Sequence, residues 1–174
     1  VDVTRCIGCR SCQIACKAWH ELEARYAPIQ GEFTSPKNMS SDCYTVIRFL
    51  ESGDASQPVL HFVKNQCLHC HNPACASACP VGALKKTENG PVVYDQWRCI
   101  GCRYCMVACP FHIPKYEWYT SNPWIQKCNF CAERIAAGKE PACIQACPME
   151  VMTFDDYPKV VEEAQKRIRM RPDR

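Results

Sequence analysis

The sequence predicts an α+β fold of two small cysteine-organised units in a pseudo-twofold arrangement, one nested in the other. A β-hairpin insertion and a C-terminal helix complete it. Three observations lead there. Sixteen of the 17 cysteines fall into four groups of four. Two β-rich runs follow the first group. An apolar stripe at helical spacing follows the last. The 174 residues allow one domain or two very small ones. Aromatic residues at 10% and a net charge of +3 exclude disorder and argue against a nucleic-acid partner. No run approaches the ~18 apolar residues of a membrane span. No basic-then-apolar leader opens the sequence. The length and the odd cysteine count fit a secreted disulfide scaffold badly.

The groups are an internal repeat. They are Cys6, Cys9, Cys12 and Cys16; Cys67, Cys70, Cys75 and Cys79; Cys99, Cys102, Cys105 and Cys109; and Cys128, Cys131, Cys143 and Cys147. Pro80, Pro110 and Pro148 close the last three, and Lys17 takes that place in the first. Three thiolates in a C-x2-C-x2-C loop wrap three corners of a [4Fe-4S] cubane. A fourth, three residues on, starts a helix and reaches a neighbouring cluster. This is the bacterial ferredoxin run, whose fourth cysteine ligates the other cluster of a pair. Zinc is the competing reading. It suits two C-x2-C knuckles across a longer gap, as in the fourth group alone, but not three thiolates in one tight loop.

The segment Pro80–Arg98 reads as strand, turn at Asn89-Gly90, and strand. That hairpin joins groups two and three into a ferredoxin-like (bacterial 2[4Fe-4S]) unit at 67–109. Groups one and four then form the enclosing unit, 1–16 plus 110–154. The rival pairs one with two and three with four. Pro110–Lys127 is long enough for that, but it holds no glycine turn.

Three stretches carry a family resemblance: RCIGCRSCQIAC at Arg5–Cys16, RCIGCRYCMVACPFHIPKYE at Arg98–Glu117, and KCNFCAER at Lys127–Arg134 continuing to Pro141–Pro148. The chain resembles the four-cluster iron–sulfur (beta) subunits of the molybdopterin oxidoreductase family, above all those of formate dehydrogenases. It also resembles the iron–sulfur subunits of membrane-bound hydrogenases and related quinone-reducing complexes. The resemblance implies four [4Fe-4S] clusters in a line. The cluster at Cys6 would lie nearest a molybdenum or tungsten pterin catalytic subunit. The cluster at Cys99 would lie at the end facing a membrane quinone- or haem-binding subunit. Nitrate reductase relatives replace a cysteine of the third group, but Cys102 is present here.

Hairpin and resemblance together favour the nested pairing. Cluster 1 then takes Cys6, Cys9, Cys12 and Cys147. Cluster 2 takes Cys128, Cys131, Cys143 and Cys16. Cluster 3 takes Cys67, Cys70, Cys75 and Cys109, and cluster 4 takes Cys99, Cys102, Cys105 and Cys79. With these ligands ionised and the cores oxidised, the holoprotein carries about −5 rather than +3.

The remaining elements support this frame. Within 17–66, Tyr44–Leu50 and Val59–Val63 read as a hairpin around Ser52-Gly53-Asp54, covering a cluster or a subunit contact. Residues 155–174 read as a helix and tail. Asp155 or Asp156 caps the helix, and Val160, Val161, Ala164 and Ile168 form a stripe expected to pack on the chain's own core. Cys43 has no neighbouring thiol and reads as a small buried residue. His69, His71 and His112 read as spectators or hydrogen-bonding residues, since no cysteine ligand is missing. Arg5, Arg10, Arg98, Arg103 and Lys127 border the loops, where positive charge raises a cluster's potential; the competing reading is an ordinary solvated surface, and a mixture of the two is expected.

No P-loop, G-x-G-x-x-G or catalytic triad is present, and no small-molecule substrate site is expected. The expected role is non-catalytic electron relay in a peripheral, membrane-associated complex, the periplasmic side being favoured over the cytoplasmic. The alternatives are the same relay in a hydrogenase or quinone reductase, and a free soluble polyferredoxin.

Overall fold

The computed structural model describes residues 1–24, 33–54, 56–121 and 123–170. Residues 25–32 of the insertion and 171–174 of the tail lie outside them.

Each cysteine group builds the same local form. Its third cysteine is the second residue of a helix: Cys12 in α1 (Ser11–Trp19), Cys75 in α2 (Ala74–Ser77) and Cys105 in α3 (Tyr104–Ala108). The fourth group places α4 (Ala132–Ala136) in its longer gap, before Cys143 in α5 (Ala142–Gln145). The fourth cysteine does not start a helix. Cys79, Cys109 and Cys147 follow the ends of α2, α3 and α5. Each precedes a proline, which disfavours helical backbone in the residue before it. Cys109 is accordingly extended, with φ −81° and ψ 112°. Where Lys17 replaces proline, α1 runs on through Cys16 to Trp19. Third and fourth cysteines are therefore four residues apart, one helical turn along one face.

Three antiparallel hairpins connect the groups. In the insertion, β1 (Thr45–Ser52) pairs with β2 (Val59–Gln66), from Thr45 opposite Gln66 to Ser52 opposite Val59. Gly53 opens its turn at φ +87°, where a Cβ would meet the Gln57 carbonyl oxygen at 2.3 Å. Between groups two and three, β3 (Leu84–Lys86) pairs with β4 (Val92–Tyr94). Their loop is closed by the Thr87 amide on the Pro91 carbonyl (2.8 Å) and the Gly90 amide on the Thr87 carbonyl (3.1 Å). A third pair, β5 (Lys115–Tyr116) with β6 (Ile125–Gln126), lies between groups three and four without a glycine.

Helix α2 packs on α3, and α1 on α5 and β1. One core joins Leu84, Val92, Cys105, Tyr116 and Ile125. Strands β5 and β6, counted from the sequence with the enclosing unit, thus contribute apolar side chains to the inner hairpin's core. A second core joins Cys12, Ile47 and Met152, with Phe49, Phe62 and Ile144 around it.

The C-terminal helix, α6 (Tyr157–Met170), begins just after Asp155 and Asp156, and both carboxylates pair with Lys159. Its stripe is not buried in the chain's own core. No α6 residue is buried, and Ile168 is 67% exposed. The stripe instead lines an open groove with the N-terminal segment, where Arg167 pairs with Asp2 at 3.4 Å.

Candidate metal centres

All 17 cysteines are free thiols. The four groups meet the chain with one backbone pattern. The third residue of every opening C-x-x-C has positive φ: Gly8 +68°, His69 +46°, Gly101 +69° and Phe130 +61°. A left-handed residue turns neighbouring amides towards the concave side of a loop. Groups one and three match further. Asp2 and Asp95 cap the single 3-10 turns that enter them, and Arg10 and Arg103 are both left-handed. Amides then point at sulfur. Ala83 donates to Cys79 Sγ at 3.2 Å and Val151 to Cys147 Sγ at 3.4 Å, each four residues past its cysteine. Phe130 donates to Cys128 Sγ at 3.4 Å and Gly101 to Cys99 Sγ at 3.5 Å.

Cys6, Cys9, Cys12 and Cys147 line one cavity, with Ile47 and Lys64 in its wall. Burial pushes the Cys12 thiol up to about 11, against the pull of Lys64, and Cys143, Cys9 and Cys6 push it the same way. Burial also raises Cys16, whose charged neighbours are Cys128, Cys143 and Cys131. Cys67 is raised by burial and has Cys109 and Cys70 beside it; Cys75 is raised likewise, beside Cys67 and Cys109. Cys105 is pushed up to about 11 by burial, with Cys75 and Cys99 near. Cys79 differs. Burial opposes its ionisation, but the amides of Leu84, Val81, Ala83 and Gly82 together bring its thiol below the ordinary value.

Electrostatic coupling links thiols of different groups: Cys12 with Cys143, Cys67 with Cys128, and Cys75 with Cys105. Cys9 and Cys102, equivalent positions in groups one and three, are the two exposed cysteines. Close to the second of these in the sequence, Trp97 and Val107 are both 85% exposed. Large apolar side chains left this exposed favour contact with a partner.

Of the basic residues named above, Lys127 is buried, 7% exposed; its Nζ donates to the Val92 carbonyl and, at 2.8 Å, to the Cys128 carbonyl. Arg98 makes a surface pair with Asp95, and Arg103 stacks on Trp118 at 4.7 Å. His71 and His112 are exposed. His69 is buried, and burial pushes its imidazole down to about 3, with Lys127 and Lys86 adding to that. Cys43 is buried, and its thiol donates to the Thr45 carbonyl at 3.2 Å. Two groups had no sequence signal. Lys64 faces Cys12, Cys16 and Cys128 from β2, and His20 Nε2 stands 3.9 Å from Cys131 Sγ. A basic residue on a strand and a histidine past a helix end are legible only once the fold brings them in.

The donors suit iron–sulfur clusters. Among the described residues no three His, Cys, Asp or Glu side chains converge on a single-ion site. Cys6, Cys9, Cys12 and Cys147 instead surround a space. Elsewhere the hydroxyls of Tyr94 and Tyr116 are buried next to the Cys99 and Cys105 thiols. Cluster sulfur would accept from such groups.

Such centres define a class, the iron–sulfur electron carriers. The chain belongs to the 4Fe-4S dicluster domain family, which matches residues 58–157; a second 4Fe-4S dicluster domain matches residues 5–83. Two dicluster domains imply four [4Fe-4S] clusters. The matches share residues 58–83, so they cut across the four groups rather than dividing them in two. Among relatives, a protein of Nitratidesulfovibrio vulgaris is 43% identical over 99% of this chain and 47% of its own length. The iron–sulfur subunit of the nitrate-inducible formate dehydrogenase of Escherichia coli is 35% identical, over 97% of this chain and 57% of that subunit. Hydrogenase-2 operon protein HybA of Escherichia coli O157:H7 is 37% identical, over 98% and 55%. The chain spans about half the length of these curated relatives.

Proposed function

We propose that the chain is a non-catalytic electron-transfer subunit. It would link a pterin-containing, formate dehydrogenase-like catalytic subunit to a membrane quinone- or haem-binding partner. Bound [4Fe-4S] clusters supply one-electron exchange. The chain's own residues bind, insulate and dock. The nested pairing assigns Cys6, Cys9, Cys12 and Cys147 to cluster 1, and Cys128, Cys131, Cys143 and Cys16 to cluster 2. Cluster 3 takes Cys67, Cys70, Cys75 and Cys109, and cluster 4 takes Cys99, Cys102, Cys105 and Cys79. The packing of α1 on α5 and of α2 on α3 supports that pairing and a pseudo-twofold relation between the two units.

One observation supports the relay reading: thiols of all four groups are electrostatically coupled, Cys12 with Cys143, Cys128 with Cys67 and Cys75 with Cys105, and Cys9 and Cys102 reach the surface. Ligands exposed in two different groups suit two partners. Trp97 and Val107, each 85% exposed, argue for fixed partners over a freely diffusing carrier. The complex would be peripheral to a membrane, on its periplasmic side. Likeness to HybA supports a second reading, the same relay serving a hydrogenase.

Anaerobic purification at native abundance tests this. About 16 iron atoms per chain are expected, in a stable complex carrying molybdenum or tungsten. Nickel in that complex would favour the second reading. A monomeric holoprotein without partners would overturn both.

A further inference from the structure

The junction between the proposed clusters 2 and 3 is asymmetric. His69 and Phe130 occupy equivalent places, third in their C-x-x-C loops and both left-handed. Their rings stack across the junction, 4.7 Å between centroids. His69 Nε2 lies 3.5 Å from Cys128 Sγ, a thiol of the other unit. Its Nδ1 accepts from the Val92 amide at 2.9 Å, so that nitrogen carries no hydrogen. A neutral imidazole has one N–H, which therefore sits on Nε2 and is aimed at sulfur. The loop is also fixed, because Lys86 Nζ donates to the His69 carbonyl at 2.7 Å. Phe130 has no donor to return. Cys128 thus receives a backbone amide and an imidazole N–H, whereas Cys67 has the His69 backbone amide alone.

We propose that His69 is a positioning and tuning residue: from the loop of one unit, its Nε2–H donates to Cys128 and raises the reduction potential of the cluster held in the other. Hydrogen bonds to ligand sulfur favour the more negative, reduced state. The electron is therefore held more firmly on the Cys128 side of the junction. This rests on the ligand sets proposed above, with Cys128 and Cys67 in different clusters.

The test is an EPR-monitored redox titration of the intact complex carrying His69→Leu, His69→Gln or Cys128→Ser. In His69→Leu, one potential of the four falls by about tenfold in its reduction equilibrium, about 59 mV for one electron. In His69→Gln, whose amide can still donate to sulfur, most of that shift is recovered. Four intact signals with unshifted potentials in His69→Leu would overturn the proposal and leave the ligand sets standing. Equal shifts in the two His69 variants would overturn it too, as the mark of a packing effect. Four unaltered signals in Cys128→Ser would instead overturn the ligand sets. Pulsed EPR on unsubstituted protein labelled with 15N-histidine gives a measurement independent of folding. The expected result is a histidine nitrogen coupling that is lost in His69→Gln, a coupling from His20 beside Cys131 remaining; no coupling lost in His69→Gln overturns the proposal.

Discussion

Gly8, in the first cysteine loop, lies directly beneath the ring of Phe62, in the inserted hairpin. A Cβ built on Gly8 would meet Phe62 Cδ1 at 2.7 Å and Phe49 Cζ at 3.0 Å. Its counterpart Gly101 has the same left-handed φ but nothing within 4 Å. The two glycines therefore separate backbone strain from packing. Gly101→Ala carries only the cost of the left-handed conformation, about 1–2 kcal/mol. Gly8→Ala adds overpacking of roughly 1–3 kcal/mol. Loss of visible cluster absorbance in guanidinium should be fastest in Gly8→Ala, slower in Gly101→Ala, and slowest in the parent. Equal rates in the two variants would remove the hairpin's covering role.

Lys127 is the buried cation of the junction. Burial raises the Cys67 and Cys75 thiols, and Lys127 opposes it at both. Lys127→Met leaves two carbonyls without their donor, a loss of about 1–3 kcal/mol. It also removes a positive charge between two clusters. The expected outcome is lower thermal stability with a downward shift of two reduction potentials. Lys127→Arg keeps the charge but not the compact ammonium geometry. It should retain the potentials better than the stability. Unchanged potentials in Lys127→Met would show that the charge is screened from the clusters.

Legibility in the sequence followed locality. The four cysteine groups, both glycine-turned hairpins and α6 were readable because spacing, turn residues and helical periodicity are short-range signals. The β1–β2 hairpin was placed, but not its seat over Gly8, because that contact joins residues more than 50 positions apart. Strands β5 and β6 were missed, their turn having no glycine to announce it. The fourth cysteines were expected to start helices. The proline after three of them, the very residue that marked the motif, ends the helix instead. The α6 stripe was read correctly as apolar and wrongly as packed, since periodicity identifies a face without identifying what covers it. His69 was legible as a spectator or hydrogen-bonding residue, but its two partners, Val92 and Cys128, were not, because they come from other segments.

The N-terminal segment holds α6 through one carboxylate. The Thr4 hydroxyl, outweighing burial, and then the Thr4 amide and Arg167 hold Asp2 below its ordinary value. Arg167 is shared with Glu163, one turn back in α6, at 2.7 Å. A folded pKa below the unfolded one stabilises at pH above the unfolded value, about 3.9, and the effect is lost as pH falls through the folded value. Hydrogen-exchange protection of α6, corrected for intrinsic rates, should therefore stay flat from about pH 5 to 8. Asp2→Asn should lower it throughout, and salt should lower it more in the parent than in Asp2→Asn, where the Arg167–Glu163 pair remains. Protection that rises across that range would assign the tether to another group.

The pairing of the groups has the most decisive test. In the nested arrangement Cys147 shares a cluster with Cys6, and Cys79 shares one with Cys99. In the rival, where groups one and two pair, Cys79 shares a cluster with Cys6. Serine is a poorer ligand than cysteine, so each Cys→Ser change should perturb one EPR component of the reduced protein. Cys6→Ser and Cys147→Ser should perturb the same component, and Cys79→Ser and Cys99→Ser another. The observed packing, α1 on α5 and α2 on α3, brings Cys12 and Cys16 to Cys143 and carries Cys75 to Cys105. A common component for Cys6→Ser and Cys79→Ser would reject the nested pairing. The donation from His69 to Cys128 would stand, because groups two and four lie in different units in either pairing.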